Sequence, residues 1–297
     1  MLDFKLVSFV ESHISGIVDF YKEFAPDPSG GFYQTFDPQG KISDAENKHL
    51  VSSARLTLVF ALASHYFNND NYKKLALDGV RFIEEHHWDE ERQGYNWTLL
   101  NQQAEDRTNH CYGTAFMLLM YSQCHSAQVG DYLTQINAVF ELMEDKLWES
   151  EFGLYADQAS SDWSVGDPYR GQNANMHACE AMISAYEATQ DKKFLDRAIL
   201  IAENICLRQT KESQGYIWEH YDQEWNVDWD YNKDDPKNLY RPWGYQPGHF
   251  IEWSKLLLLI NKHVCLDWLV ERAEYLYDHA MEKTWDAEFG GLMYGFG

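Results

Sequence analysis

The stretch KLWESEFGLYADQA, residues 146–159, decides the fold because related segments recur along the whole chain. It combines a tryptophan next to an acidic residue, a glycine, and a short run that contains aromatic residues. The related segments are GGFYQTFD from Gly30, QGYNWTLL from Gln93, QGYIWEHY from Gln214 and FGGLMYGF from Phe289. Because glycine permits positive φ angles, each segment predicts a short hairpin or extended turn.

Helical patterns fill the intervals between these segments, usually two to an interval. The predicted helices cover residues 45–67, 72–86, 109–124, 132–147, 173–189, 193–208, 248–263 and 266–283. Within a pair, one helix is more apolar on all sides: residues 50–64 carry one formal charge, Arg55, and residues 111–123 carry none. Helices of that kind are buried and would form an inner ring. The repeat therefore predicts an all-α toroid of helix pairs, an (α/α) barrel, with an open solenoid as the alternative.

The charge balance of the 297-residue chain is strongly acidic, with 47 Asp and Glu against 24 Lys and Arg. Such a surface repels nucleic acids and anionic membranes, so neither is an expected partner. No uncharged apolar run approaches the roughly 18 residues that a membrane-spanning helix needs. The start of the chain lacks the basic and apolar regions of a signal peptide, so a cytoplasmic location is expected.

Motifs of several common chemistries are missing from the sequence. Five cysteines are scattered and none forms a CxxC pair, which predicts reduced thiols rather than disulfides or a zinc site. There is no GxGxxG, P-loop, GxSxG or HExxH motif. Acidic residues are too numerous to single out a glycosidase pair, so glycoside hydrolysis stays open.

Two segments, RGQNANMHACEA and RPWGYQPGHFIEW, carry the clearest chemical signal. Each places a histidine three residues before a glutamate, His177 before Glu180 and His249 before Glu252. Helical positions three apart share a face, so each pair aims an imidazole and a carboxylate in one direction. With Asn173, the first pair forms a polar stripe that predicts either a wet cavity or an internal network. Together the pairs favour proton transfer on a polar, neutral substrate over a metal site, since di-iron bundles place Glu before His.

The position of His249 suits general acid–base catalysis. It follows Pro247, which fits the first turn of a helix. The helix dipole disfavours the imidazolium at that end, whereas Glu252 one turn later favours it. The two effects would hold the pKa of the imidazole near neutral pH, which suits a group that both takes and gives protons. A histidine that only anchors the start of a helix is the alternative.

Two arginines are further candidates. Arg55 is the lone charge of a long apolar helix, so we expect it to be buried against an anionic or carbonyl partner. Arg241 lies in an aromatic loop with Tyr240, Trp243 and Tyr245. That composition is typical of sugar binding and also of loop packing.

Four pieces of the chain together resemble the N-acylglucosamine 2-epimerase family, and within it the D-mannose isomerase-like members. They are HLVSSARLTLVFALA from His49, CYGTAF from Cys111, GQNANMHACEAMISAYEAT from Gly171 and LYRPWGYQPGHFIEWSKLL from Leu239. The resemblance runs through essentially the whole chain. It implies an (α/α)6 barrel and an enzyme that moves protons beside a sugar carbonyl, with a monosaccharide substrate, no nicotinamide and no required metal.

The resemblance also implies roles for single residues. His249 is similar to one of the family's two catalytic histidines and would act together with Glu252. Val51 stands where some relatives carry an aromatic residue, which favours the mannose isomerases over sulfosugar isomerases. The residues expected to line the sugar site are Arg55, Tyr112, Asn173, His177, Glu180 and Arg241.

A difference from the family concerns length. The second catalytic histidine of the family lies near its C-terminus, beyond residue 297, and six repeats would need roughly 360 residues. We therefore expect residues 1–297 to form a single barrel domain that lacks its closing helices. An exposed inner ring would favour association, so a homo-oligomer is among the expected states.

The predicted function is an aldose–ketose isomerase that converts D-mannose to D-fructose through a cis-enediolate. A 2-epimerase of the N-acylglucosamine or cellobiose type would use the same residues and return the proton to the opposite face of C2. A non-catalytic sugar- or protein-binding module is the alternative outside catalysis.

Overall fold

The structure, a computed structural model, describes residues 5–297 as helices joined by short hairpins. The helices are α1 (Val7–Phe24), α2 (Leu50–Tyr66), α3 (Asp70–Phe82), α4 (Cys111–Ser126), α5 (Leu133–Lys146), α6 (Gln172–Thr189), α7 (Lys192–Glu203), α8 (Pro247–Asn261) and α9 (Asp267–Thr284). All the predicted helices are present, and α1 is a further helix that the sequence patterns did not indicate. Among residues 5–297, no helix has both the length and the apolar character that crossing a membrane requires.

The first predicted helix begins later than expected. Strand β3 (Asn47–His49) precedes α2, which begins only at Leu50. The strand pairs antiparallel with Thr98–Leu100, and the Nδ1 atom of His49 accepts a hydrogen bond from the backbone N–H of Val51 at 3.1 Å. Cross-strand pairing and this cap therefore override the helical pattern.

Two other predicted helices change from α-helix to π-helix before they end. Residues Ile83–His87 continue α3, and residues Asn204–Arg208 continue α7, as wider π-helical turns. The predicted ends at residues 86 and 208 thus fall within helical structure that is not α-helical.

Short strands confirm the hairpins predicted at the segments from Gly30, Gln93 and Phe152. The Gln214 segment pairs instead with Arg170–Gly171, and the Phe289 segment takes part in isolated bridges. In addition to β3, the strands are β1 (Thr35–Phe36), β2 (Ile42–Asp44), β4 (Trp88–Asp89), β5 (Gly94–Tyr95), β6 (Thr98–Leu100), β7 (Gln103–Asp106), β8 (Asn109–His110), β9 (Trp148–Glu149), β10 (Leu154–Tyr155), β11 (Gln158–Ala159), β12 (Arg170–Gly171) and β13 (His220–Tyr221). Between β9 and β10, Gly153 has a φ of 66°, as its role in the turn requires. Between β4 and β5 the left-handed residue is Gln93, with a φ of 52°, rather than Gly94.

The described chain divides into two compact units. The first comprises residues 5–109 and 116–138, and the second comprises residues 110–115 and 139–297. In the first unit, α2 packs against α3, and strands β3, β6 and β7 form an antiparallel sheet. Helix α2 is buried along most of its length, as its apolar sequence predicted.

In the second unit, α6 packs against α7 and α8 packs against α9. Helices α6 and α8 are also neighbours and run parallel, since side chains at successive levels meet in the same order. The contacts join Gln172 to His249 at 2.9 Å, Glu180 to Lys255 at 3.0 Å and Glu187 to His263 at 3.0 Å. This register places the two His-x-x-Glu pairs of the sequence on adjacent helices.

Candidate active site

His249 lies in the first turn of α8, two residues after Pro247, as predicted. Its Nδ1 atom is 2.9 Å from both carboxylate oxygens of Glu219. The Glu219 side chain is only 5% exposed, whereas the His249 side chain is 24% exposed. The imidazole therefore turns one nitrogen towards a buried carboxylate that the sequence analysis had not identified.

Backbone pairing brings Glu219 to this position. Strands β12 and β13 run antiparallel with Gly171 opposite His220, and the N–H of Gln172 donates to the carbonyl oxygen of Glu219 at 3.2 Å. Gln172 is the first residue of α6, so the strand pairing passes directly into the helix. Its Nε2 atom then donates to Oε2 of Glu219 at 2.9 Å.

Trp253, one turn after His249 on α8, fixes the orientation of the Gln172 amide. The indole N–H of Trp253 donates to Oε1 of Gln172 at 2.7 Å, and both side chains are completely buried. The amide nitrogen of Gln172 consequently points towards Glu219 and the Nδ1 atom of His249. Buried polar groups joined in this way form a rigid network.

The pKa of His249 is raised above its ordinary value. Burial alone would lower it, but the charge of Glu219, the hydrogen bond to Glu219 and the charge of Glu252 outweigh that effect. Glu252 itself is exposed. The prediction that Glu252 favours the imidazolium is right in direction, but the carboxylate in contact with the ring is Glu219.

The other predicted pair, His177 and Glu180, is in direct contact. The Nδ1 atom of His177 is 3.1 Å from Oε2 of Glu180, and Lys255 of α8 donates to Oε1 of Glu180 at 3.0 Å. Although burial alone would raise the pKa of Glu180, His177 and Lys255 lower it to about 2. The ring of Tyr112 meets the ring of His177 edge-on, with centroids 4.9 Å apart. Tyr112, His177 and Glu180 thus lie together, and their place in a sugar site stays a prediction.

Asn173 has a buried side-chain oxygen, Oδ1, that accepts no hydrogen bond from residues 5–297. Its neighbour Asn175 differs, because its amide bonds the backbone of Tyr155 in both directions, at 2.8 and 3.0 Å. Buried acceptors are rarely left unsatisfied, so the oxygen of Asn173 suits a ligand that brings a hydroxyl donor.

Arg241 is held on several sides within the second unit. Its Nη2 donates to Asp157 at 3.0 Å and to Gln158 at 3.2 Å, and its Nη1 donates to the hydroxyl of Tyr231 at 2.9 Å. The guanidinium lies 3.8 Å from the ring centre of Tyr169. These contacts fix a positive charge in place, although the aromatic residues involved are not the loop neighbours that the sequence analysis considered.

The carboxyl group of Asp157 is unusual for an arginine partner. Burial and the nearby charge of Asp167 raise its pKa to about 6, while Arg241 and Arg170 act in the opposite direction. Arg170 itself is engaged by both carboxylate oxygens of Glu149. Asp157 can therefore change its charge close to neutral pH, next to the predicted sugar-binding arginine.

Arg55 belongs to the first unit, on α2. The expectation that it is buried is wrong, since the residue is exposed and its guanidinium carbon lies 4.6 Å from the ring centre of Phe116. An exposed arginine can stack its guanidinium on an aromatic face, which is the contact that Arg55 makes with Phe116. Its role in sugar binding stays a prediction.

The residues that the sequence analysis missed share a position in the repeat. Asp157 stands four residues after Gly153, and Glu219 stands four residues after Gly215. In the QGYNWTLL segment the equivalent residue is Thr98. Two consecutive repeats thus carry an acidic residue at this position, each within two residues of an aromatic residue, Tyr155 or Trp218. This shared pattern could have indicated both carboxylates.

The N-acylglucosamine 2-epimerase (GlcNAc 2-epimerase) family matches residues 31–297 of the chain. The chain is 46% identical over 290 residues to D-mannose isomerase from Marinomonas mediterranea, which covers 97% of this chain and 73% of that protein. Cellobiose 2-epimerase from Bacteroides fragilis is 23% identical over 216 residues, 66% of this chain and 53% of that protein.

A solved crystal structure of a D-mannose isomerase superposes with a TM-score of 0.97 at 45% sequence identity, covering 99% of this chain and 75% of that chain. Together with the family match, this similarity confirms the predicted all-α, (α/α)6 fold class.

Proposed function

Because the chain belongs to the N-acylglucosamine 2-epimerase family, we propose that it interconverts an aldose and a ketose, with D-mannose and D-fructose as the pair. The similarity to D-mannose isomerases supports the reaction class and the sugar. The observation that carries the mechanism is His249, whose Nδ1 faces the buried Glu219 and whose ring is partly exposed. That geometry leaves Nε2 as the atom that exchanges protons with a substrate.

His249 is the proposed base of the reaction. In the open-chain aldose, the carbonyl at C1 acidifies the hydrogen on C2. Nε2 of His249 takes that proton, the C2–H electron pair forms the C1–C2 double bond, and negative charge develops on O1. Transfer of the O2 hydrogen to O1 and return of the proton from Nε2 to C1 complete the ketose.

Positively charged and amide groups would stabilise the enediolate and hold the sugar. Arg241, fixed by Asp157 and stacked on Tyr169, supplies a charge that needs no reorganisation during the reaction. The unsatisfied Oδ1 of Asn173 accepts a sugar hydroxyl.

We assign the remaining predicted residues supporting roles. His177, oriented by Glu180 and Tyr112, holds a second hydroxyl. Glu252 adds negative charge that favours protonated His249. Arg55 is assigned to sugar binding on the family resemblance.

A 2-epimerase is the second candidate, supported by the cellobiose 2-epimerase among the relatives. It would form the same enediolate but return a proton to the opposite face of C2. A single base on one face of a cis-enediolate can move a proton from C2 to C1, whereas epimerisation needs an acid on the opposite face of C2, so the two candidates differ in the residue that returns the proton.

Product analysis tests this proposal. Incubation with D-mannose should yield D-fructose, and His249→Gln should abolish the reaction. His263→Gln is the matched control, because His263, in the turn after α8, also faces a glutamate, Glu187 of α6, at 3.0 Å. Glucose as the sole product would support the epimerase, and an active His249→Gln variant would contradict the assignment of the base.

A further inference from the structure

The buried network behind His249 defines which ring nitrogen carries the proton. Indole N–H groups only donate hydrogen bonds, so the atom of Gln172 that lies 2.7 Å from Trp253 Nε1 is the amide oxygen. The amide NH2 must then face Glu219 and His249. A carboxylate only accepts hydrogen bonds, so Gln172 donates to Glu219.

The imidazole of His249 meets the same two side chains. Its Nδ1 lies 2.9 Å from both oxygens of Glu219 and 2.9 Å from the amide nitrogen of Gln172. The NH2 group of Gln172 could donate to a lone pair on Nδ1, but that lone pair would also face the two negative oxygens of Glu219. An N–H on Nδ1 can instead donate to Glu219, and a hydrogen bond to a charged acceptor is stronger than one from a neutral amide. Neutral His249 therefore carries its hydrogen on Nδ1 and its lone pair on Nε2.

We propose that Glu219 is a positioning residue that fixes the Nδ1–H tautomer of His249. In this proposal, Trp253 orients Gln172, and Gln172 holds the carboxylate of Glu219 in place. The inference rests on the proposed function, in which His249 Nε2 is the base. Glu219 reaches the ring from the segment before β13, so it acts across the second unit and not along the helix of His249.

The charged groups that act on His249 are few. Glu219 approaches from the segment before β13, and Glu252 lies on α8 itself. At this level α6 contributes Gln172, which is uncharged. Replacement of Glu219 by an amide should therefore change the pKa of His249 measurably.

Glu219→Gln replaces two acceptor oxygens by one oxygen and one NH2 group. The donors of Gln172 and of His249 Nδ1 then compete for a single acceptor. We expect His249 to populate the Nε2–H tautomer, its pKa to fall by about one unit or more, and kcat/KM to fall about tenfold or more. Glu219→Asp, which keeps the charge, should retain the Nδ1–H tautomer.

The test is a pH titration of histidine ring ¹⁵N signals by NMR, with the His249 signals identified by their loss in His249→Gln. Glu187→Gln is the matched control, since Glu187 contacts His263 at 3.0 Å beside the same pair of helices. The wild type and this control should show the Nδ1–H form of neutral His249. Circular dichroism establishes that each variant is folded, and Glu219→Asp supplies the comparison if Glu219→Gln does not fold.

Neutral wild-type His249 with its hydrogen on Nε2 would overturn the proposal, as would a folded Glu219→Gln variant with unchanged tautomer and pKa. If Glu219→Gln does not fold, loss of the Nδ1–H form in folded Glu219→Asp would overturn it. The NMR measurement needs no sugar, so it decides the role of Glu219 separately from the proposed function. If the wild type does not convert D-mannose, the proposed function is wrong. The NMR result still decides whether Glu219 fixes the tautomer of His249.

Discussion

Two largely buried carboxylates, Asp157 and Glu219, contact two of the side chains predicted to lie at the site, Arg241 and His249. Arg241 and His249 could be found from the sequence, whereas Asp157 and Glu219 were not. His249 and Arg241 stand in a distinctive motif, whereas their partners are 30 and 84 residues away in the chain. Local spacing on a helix cannot indicate such contacts, because they depend on how hairpins and helices pack.

The pH dependence of the reaction should reflect the raised pKa of His249. The base must be unprotonated, and its pKa lies above the ordinary value of 6.5. We expect kcat/KM to fall about tenfold per pH unit once the pH is below that pKa. A kcat/KM profile against pH checks this, and an acid limb centred below 6.5 would contradict it.

The same shift has a consequence for stability. Because the folded-state pKa exceeds the unfolded value, the stabilising contribution of His249 is complete below the unfolded pKa. It disappears as the pH rises through the folded pKa.

Asp157→Asn should weaken substrate binding and turnover. The amide keeps the shape of the side chain but removes the charge that holds Arg241 at 3.0 Å. Loss of this alignment is expected to raise KM and to lower kcat/KM about 10- to 100-fold. Asp162→Asn, in an exposed turn of the same repeat, is the control and should behave as wild type. Equal kcat/KM values for the two variants in steady-state assays would refute the role of Asp157.

At the level of elements, the hairpin repeats and the apolar helices could be predicted because both depend on local residue patterns. The strand at Asn47–His49 could not, since its pairing with Thr98–Leu100 lies far away in sequence. The contact between α6 and α8 was also beyond prediction, because no pattern in either helix specifies its neighbour. That contact is what joins Gln172 to His249.

Gly153→Ala tests whether the hairpin turn requires glycine. The φ of 66° is unfavourable for alanine, and an added Cβ would lie 2.4 Å from the amide nitrogen of Asn204, which donates to the carbonyl of Gly153. We expect a loss of about 1–3 kcal/mol in the free energy of unfolding. Gly166→Ala is the control, since no atom lies within 4 Å of a Cβ there. Similar urea midpoints for both variants would show that the turn tolerates a side chain.

At the scale of the whole molecule, the predicted sugar-site residues fall in both compact units. Arg55 belongs to the first unit, and Tyr112, Asn173, His177, Glu180, Arg241, His249 and Glu252 belong to the second. The fold class was predictable from the repeat and the family resemblance. The exposure of Arg55 was not predictable, because a single charge on an apolar helix can lie at the surface and stack on an aromatic ring.

Arg55→Ala separates sugar binding from stability. If Arg55 binds the sugar, KM for D-mannose should rise about tenfold or more, while the unfolding midpoint changes little because the residue is exposed. Arg81→Ala, another exposed arginine of the first unit, is the control. Steady-state kinetics and thermal unfolding of both variants check this prediction. An unchanged KM for Arg55→Ala would show that Arg55 does not bind the sugar.

In the proposed reaction, this chain moves a proton from C2 to C1 of an aldose through an enediolate, with His249 as the base. The most direct test follows D-mannose in deuterated water by NMR. D-fructose should form, with deuterium at C1 in every turnover in which the proton on Nε2 exchanges with the solvent before it returns, and His249→Gln should form no D-fructose. Glucose with deuterium at C2 as the only product, or D-fructose formed by His249→Gln at the wild-type rate, would contradict this mechanism.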